Sequence, residues 1–197
     1  MRDRHRPTYP VRVKQTPDPA TPVDQLSPEA VQAFSLEFLD AWNSHDPQRL
    51  LALTNQEVVW EDPFIDGGRL VGHDALEQWI RSIWRAMPDL AFETVGSLHL
   101  ALDGRSVMSA WRGTGTMTGV LDPPGFSPTN QGVEMSGTDT HWFRDGRLIH
   151  VVTATDVMAV GRQIGAAPMA GTVSERVGVA LQRLTARRLR SRAAKEK

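Results

Sequence analysis

The sequence predicts an α+β fold: three N-terminal helices packed on the concave side of a strongly bent antiparallel sheet, making a cone with an internal pocket. Three observations predict it. Apolar residues recur at helical spacing in three segments before Met87. From Ala91 onward the chain turns to long strand-like runs. Two Asp-Gly pairs, Asp103-Gly104 and Asp145-Gly146, punctuate those runs as two-residue hairpin turns.

The elements follow in order. Residues 1–28 hold six prolines without hydrophobic periodicity and read as a disordered leader. Ser27-Pro28-Glu29 opens a helix, with Ser27 as N-cap and Pro28 in the first position. Val31, Phe34, Phe38, Leu39 and Trp42 form its buried stripe, and it stops near Asn43-Ser44. Asp46-Pro47 starts a second short helix whose Leu50, Leu51 and Leu53 face inward. Val58 to Asp62 reads as a strand ended by Pro63, and Gly67-Gly68 turns the chain into Leu70-Val71. A third helix runs from about Asp74 to Ala86, with Leu76, Trp79, Ile80, Ile83 and Trp84 on its apolar side. Strands follow at roughly 91–102, 105–117, 133–144 and 147–157, with a loop rich in Pro and Gly before the last pair. Residues 29–166 form one domain, and residues 167–197 form a basic tail with a helix over 172–194.

Charge is unevenly spread. Residues 29–171 carry nine Arg and eighteen acids, a net of −9, whereas residues 172–197 carry eight bases and two acids, a net of +6. An acidic middle argues against nucleic acid as a partner, since phosphate binding needs a positive field. The basic helix, with Val173, Val177, Leu181 and Leu184 on one side, is open to several readings: docking on the domain or on a second subunit, an acidic protein partner, or an anionic membrane surface. The last is the least favoured. There is no cysteine, so thiolate chemistry is excluded. With no apolar run of membrane-spanning length and no signal-peptide core, the default location is the cytoplasm. The six histidines show no metal-ligand spacing, and neither a phosphate-cradling loop nor a serine nucleophile elbow is present.

The candidate site comes from the last hairpin. A type I′ turn at Asp145-Gly146 pairs Arg144 with Arg147 and, counted outward, His141 with His150, Asp139 with Val152 and Met135 with Asp156. That register places Asp139, His141, His150 and Asp156 on one face, beside Met135, Phe143, Leu148, Val152 and Ala154. Titratable groups among apolar neighbours suit a pocket better than a packed core. Each residue keeps a plainer reading. Asp156 could cap a strand end, His141 could be a satisfied wall residue, His150 a solvated rim residue, and Asp139 either an orienting partner of His141 or an exposed strand residue. Trp60 suits the core and Asp62, just before Pro63, the pocket mouth. Trp111 is read as core or as a substrate platform, and six tryptophans favour a flat polycyclic ligand.

Several phrases fall in a suggestive order: Phe38-Leu39-Asp40-Ala41-Trp42-Asn43-Ser44-His45-Asp46, Val59-Trp60-Glu61-Asp62-Pro63, Gly72-His73-Asp74-Ala75-Leu76, Met87-Pro88-Asp89, Arg144 to Ile149 leading to Asp156, and Gln163-Ile164-Gly165. Over about residues 29–166 the chain resembles the SnoaL-like polyketide cyclases of the NTF2-like superfamily. The resemblance implies an NTF2-like cone, a homodimer, and an enzyme of antibiotic-type polyketide biosynthesis that needs no cofactor. It also implies an acid/base Asp near the end of the last strand, at the position of Asp156, assisted by a His at His141. Members often carry Glu-His-Trp after the turn where this chain has His150-Val151-Val152.

The chemistry expected is an aldol closure or proton shift on a hydrophobic, carbonyl-bearing small molecule, with Asp156 as base and His141 as helper. Asp139, Trp60, Asp62, His150, Trp111 and Met135 would line the substrate site. The alternatives are epoxide hydrolysis, recruiting Asp139, Asp156 and Arg112, and a non-catalytic module that binds a ligand or dimerises.

Overall fold

The computed structural model describes residue 17 and residues 21–193, so most of the expected leader and the last four residues lie outside the described residues. Helix α1 (Pro28–Asn43) begins as its cap dictates: the Ser27 hydroxyl accepts the Ala30 N–H at 3.2 Å. It buries Val31, Phe38, Ala41 and Trp42. Asp46 caps the short α2 (Pro47–Ala52) through the Gln48 N–H at 2.9 Å. Strand β1 (Thr54–Glu61) turns Val58 and Trp60 inward and ends before Asp62-Pro63, and β2 (Arg69–Val71) folds back on it. Helix α3 (His73–Ala86) buries Leu76, Ile80 and Trp84.

The remaining strands are β3 (Ala91–Leu100), β4 (Val107–Thr116), β5 (Gly132–Arg144) and β6 (Arg147–Thr155). The sheet order is β2-β1-β6-β5-β4-β3. β1 joins it parallel to β6, where a wholly antiparallel sheet was expected. β6 is therefore central, with a neighbour on each edge, and Leu148, Ile149, His150 and Val151 are buried in succession. Short α4 (Val157–Gln163) and long α5 (Val173–Ala193) follow, the latter with Val173, Val177, Leu181 and Leu184 exposed. Among the described residues, α1 to α4 lie against one curled, open six-stranded sheet, with the core enclosed between α1, α3 and its concave face, while α5 stands largely exposed.

The hairpin turn forms as expected: Asp145 and Gly146 both take positive φ, 54° and 71°, and Arg144 pairs with Arg147. The end of the leader ties this turn down. Asp24 accepts the N–H groups of Asp145 (3.0 Å) and Gly146 (2.8 Å), and Gln25 donates to Asp103 O at the second Asp-Gly turn.

Beyond the turn the expected register fails by one residue. Phe143 pairs with Leu148 but Trp142 pairs with His150, so Ile149 is an extra residue, a β-bulge. His141 consequently faces Val151 and Asp139 faces Thr153. A one-residue slip exchanges the faces of everything beyond it on one strand. His150 thereby moves to the outer face beside Trp142, 3.1 Å from Glu61 Oε1, and out of the expected site. Val152 and Ala154 give their inward places to Thr153 and Thr155.

Asp156 is displaced for a second reason. β6 ends at Thr155, and Asp156 is the exposed N-cap of α4, its carboxylate accepting the Ala159 N–H at 2.9 Å. It does not enter the cavity. Asp156→Asn keeps a good cap, so its melting temperature and activity should match the native protein's; Asp156→Ala should lose about 1 kcal/mol of stability by denaturant unfolding. Loss of turnover in Asp156→Asn would restore this residue to the site.

Candidate active site

The inward positions of β5 and β6 carry a polar cluster into an otherwise apolar cavity. Asp139 and His141 come from β5, Thr153 and Thr155 from β6, and Asp62 from the turn after β1. Trp111 of β4 and Met135 of β5 line the same cavity. Phe34, Phe38 and Trp42 of α1, Trp60 of β1, Trp79 of α3 and Phe92 of β3 supply the aromatic wall. These rings meet largely edge to face, as aromatic quadrupoles prefer: Phe34 on Phe143 at 4.7 Å, and Trp42 on Trp60 at 6.1 Å.

Burial dominates the electrostatics. The Asp139 carboxyl lies among apolar rings, and desolvation pushes it from 3.8 up to about 7, aided slightly by the negative charge of Asp62. Two groups favour its charged form: the Thr153 hydroxyl, which donates to Oδ1 at 2.8 Å, and the nearby Trp111 indole. Burial also lifts Asp62 to about 6, against the Phe64 N–H that donates to its Oδ1 at 2.7 Å and the Thr153 hydroxyl. His141 moves the opposite way, to about 3, because burial disfavours the imidazolium. Its Nε2 lies 3.9 Å from Asp139 Oδ2, beyond a hydrogen bond, and at neutral pH the imidazole is uncharged. The two are therefore not an ion pair.

Three buried polar atoms on this wall have no full hydrogen bond: His141 Nε2, Trp111 Nε1 and Thr155 Oγ1. An unmatched buried polar atom costs on the order of 1–3 kcal/mol, so three at the surface of one cavity are most simply the complement of a polar ligand. His141 Nε2 and Asp139 Oδ2 are close enough together for one substrate oxygen to touch both. Among the described residues no group of three or more His, Cys, Asp or Glu side chains is arranged to hold a metal ion.

The expected site is thus partly assembled and partly dispersed. Asp139, His141, Trp60, Asp62, Trp111 and Met135 converge on the cavity; Asp156 and His150 do not. The sequence reading missed Thr153, Thr155 and the phenylalanines of α1 as site residues. A signal existed for the threonines: two adjacent apolar residues, Leu148-Ile149, break the alternation just after the turn and announce the bulge that turns Thr153 and Thr155 inward. Asp156 likewise precedes Val157-Met158-Ala159, a helix start read as strand.

Solved structures share the fold. AclR from Streptomyces galilaeus, a candidate hydroxylase, superposes with a TM-score of 0.62 at 20% identity, covering 82% of this chain and 98% of its own. TsrD from Streptomyces laurentii gives 0.60 at 21% identity, covering 72% and 98%. SalBIII, an epoxide hydrolase/cyclase-like enzyme of pyran ring formation in salinomycin, gives 0.54 at 19% identity, covering 66% and 92%. No curated protein matches the chain. Residues 36–151, which hold the second half of the first helix, both buried carboxyls and the sheet up to the middle of β6, match the SnoaL-like domain model, and the chain belongs to the SnoaL-like domain family of the NTF2-like fold.

Proposed function

We propose that this protein is a cofactor-independent acid/base enzyme of the cyclase or isomerase type, acting on a hydrophobic small molecule that bears a carbonyl group. The observation that carries this reading is a pair of buried carboxyls, Asp62 and Asp139, in one aromatic cavity, both raised toward neutral pH. Asp139 takes the central place that the family resemblance assigned to Asp156.

Different environments separate the roles. Between about pH 6 and 7, Asp62 is largely ionised and Asp139 largely protonated. Asp62 then removes a proton from carbon next to the carbonyl: the C–H bond breaks, an O–H bond forms on Asp62, and the electron pair moves to the carbonyl oxygen. Protonated Asp139 donates to that developing oxyanion, and the unmatched Trp111 N–H stabilises the same charge. In a cyclase the enolate carbon next attacks a second carbonyl; in an isomerase it takes a proton back at a new position. The aromatic walls hold a flat substrate and keep water away.

The expected pH profile is bell-shaped and narrow, rising as Asp62 ionises near 6 and falling as Asp139 loses its proton near 7. Initial rates of enolisation, followed by deuterium exchange into a β-diketone probe from pH 4.5 to 9, would show it. A flat profile across that range would dismiss the two-carboxyl mechanism. Retained ligand quenching of tryptophan fluorescence without exchange would favour a binding module.

Epoxide hydrolysis, in the line of SalBIII, has the two carboxyls in its favour but lacks its arginine. Arg112 lies on the outer face, paired with Glu134 at 2.8 Å and Glu93 at 3.5 Å. That face also exposes Val95 and Met108, and a homodimer formed through it is our reading of the assembly.

A further inference from the structure

Three inward positions lie side by side across the sheet, one rung from Asp139. Trp111 of β4 pairs with Gly137 of β5, and Gly137 pairs with Thr155 of β6. Gly137 and Asp139 are two residues apart on one face of β5, about 7 Å between Cα atoms. Thr155 reaches this rung because the bulge at Ile149 turns it inward.

Gly137 leaves the middle of the rung without a side chain, and its neighbours lean over it from both sides. A Cβ on Gly137 would lie 2.5 Å from Trp111 Cζ2 and 2.9 Å from Thr155 Oγ1. The Cζ2 edge of an indole is also its N–H edge, since Cζ2 and Nε1 are both bonded to Cε2. The Trp111 N–H and the Thr155 hydroxyl are therefore held over the same bare backbone. Both atoms are buried, neither has a hydrogen-bond partner among the described residues, and both residues line the cavity.

The chemistry of this pair selects its ligand. An indole N–H only donates, and a threonine hydroxyl has one proton to give. Together they suit an atom that accepts two hydrogen bonds, as a carbonyl oxygen does and an ammonium group does not. An anionic ligand would enter a cavity already lined by two carboxyls, so a neutral ketone fits better.

We propose that Thr155 and Trp111 form a two-donor seat for the ligand's carbonyl oxygen above Gly137, and that Thr155 makes the site prefer a ketone over the same ring system without its oxygen. The seat rests on the reading of the ligand as carbonyl-bearing. In that reading Thr155 joins Trp111 as a donor to the oxygen on which enolate charge develops.

Fluorenone and fluorene share one flat outline and differ by the ketone oxygen. Fluorenone has no hydrogen on the carbons next to its carbonyl, so it binds without reacting. Dissociation constants from tryptophan quenching are compared in the native protein, Thr155→Val, Thr155→Ser and Trp111→Phe. The native protein should bind fluorenone at least about fivefold tighter than fluorene. Thr155→Val should weaken fluorenone about fivefold and shift fluorene by less than about twofold, and Thr155→Ser should restore the native value. Trp111→Phe should weaken fluorenone in the same way. Unliganded Thr155→Val should melt no lower than the native protein, because the hydroxyl it loses had no partner. Equal changes for the two compounds would mean that Thr155 only packs, and an unchanged fluorenone affinity or a lower melting temperature would mean that its hydroxyl is engaged elsewhere; each overturns the proposal. So does a native protein that binds both compounds equally or binds neither, a comparison that stands even if the Val variant does not fold. A preference for fluorenone without deuterium exchange into a β-diketone would sink the enzyme reading and leave the seat in place.

Discussion

Asp139→Asn should abolish turnover, by at least about a hundredfold in kcat, while the folded protein becomes more stable above neutral pH. The activity loss follows because an amide cannot take up or release the proton. The stability gain follows from linkage. Burial raises the folded carboxyl from 3.8 to about 7, so the native state binds this proton more tightly than the unfolded chain. Its contribution is fully present below about pH 4 and is lost as the pH rises through 7. About 3 pH units of displacement correspond to roughly 4 kcal/mol, which an uncharged amide of the same shape would not forfeit. Asp62 acts in the same direction up to about 6, whereas buried, neutral His141 adds stability that is present above about 6.5 and is lost as the pH falls toward 3. Urea unfolding at pH 6 and 8 should therefore show the variant gaining on the native protein at the higher pH. Equal loss of stability at both values would mean that the Asp139 carboxyl is held by partners and not strained by burial.

Trp60→Ala should cost about 3–5 kcal/mol of unfolding free energy, the largest single-site loss expected here. Trp60 is fully buried, stacks on Phe38 at 6.2 Å and meets Trp42 and Trp79 at 6.1 and 5.5 Å. Its removal leaves a cavity between α1, α3 and β6, and strips the Thr153 oxygen of its donor. Trp60→Phe separates the two effects, since it refills most of the space and loses only the N–H. It should cost about 1–2 kcal/mol while leaving the cavity closed to solvent. Chemical denaturation of both variants, with near-ultraviolet circular dichroism to follow the tryptophan cluster, checks this. Similar losses in the two would mean that the hydrogen bond, and not the packing, carries the effect.

Much of the fold was legible in the sequence because its signals are local. Ser27 and Asp46 cap the first two helices where their side chains reach the next turn's N–H groups, and Asp145-Gly146, both at positive φ, forms a two-residue turn whose twist suits the flanking strands. The apolar stripe of α3 was equally plain. The site was legible in part: Asp139 and His141, two residues apart on β5, had to share a face, and the aromatic content announced the cavity wall. Asp156 and His150 were misplaced because their positions depend on counting across a hairpin, where a single extra residue changes the answer.

Alternation, caps and turn chemistry by themselves determined a helical layer on a curled sheet with carboxyl and imidazole groups turned toward its hollow. Only the tertiary structure decided which carboxyls those are. The parallel seating of β1 against β6 makes β6 a doubly flanked strand, and its run of four buried residues is accommodated by the bulge at Ile149. That bulge brings Thr153 to Asp139 and sends His150 out to Glu61, while the start of α4 takes Asp156 into a helix cap. One of the two neighbours that flank β6 is β1, whose Trp60 lies 93 residues before Thr153, and no pattern read along β6 alone contains it.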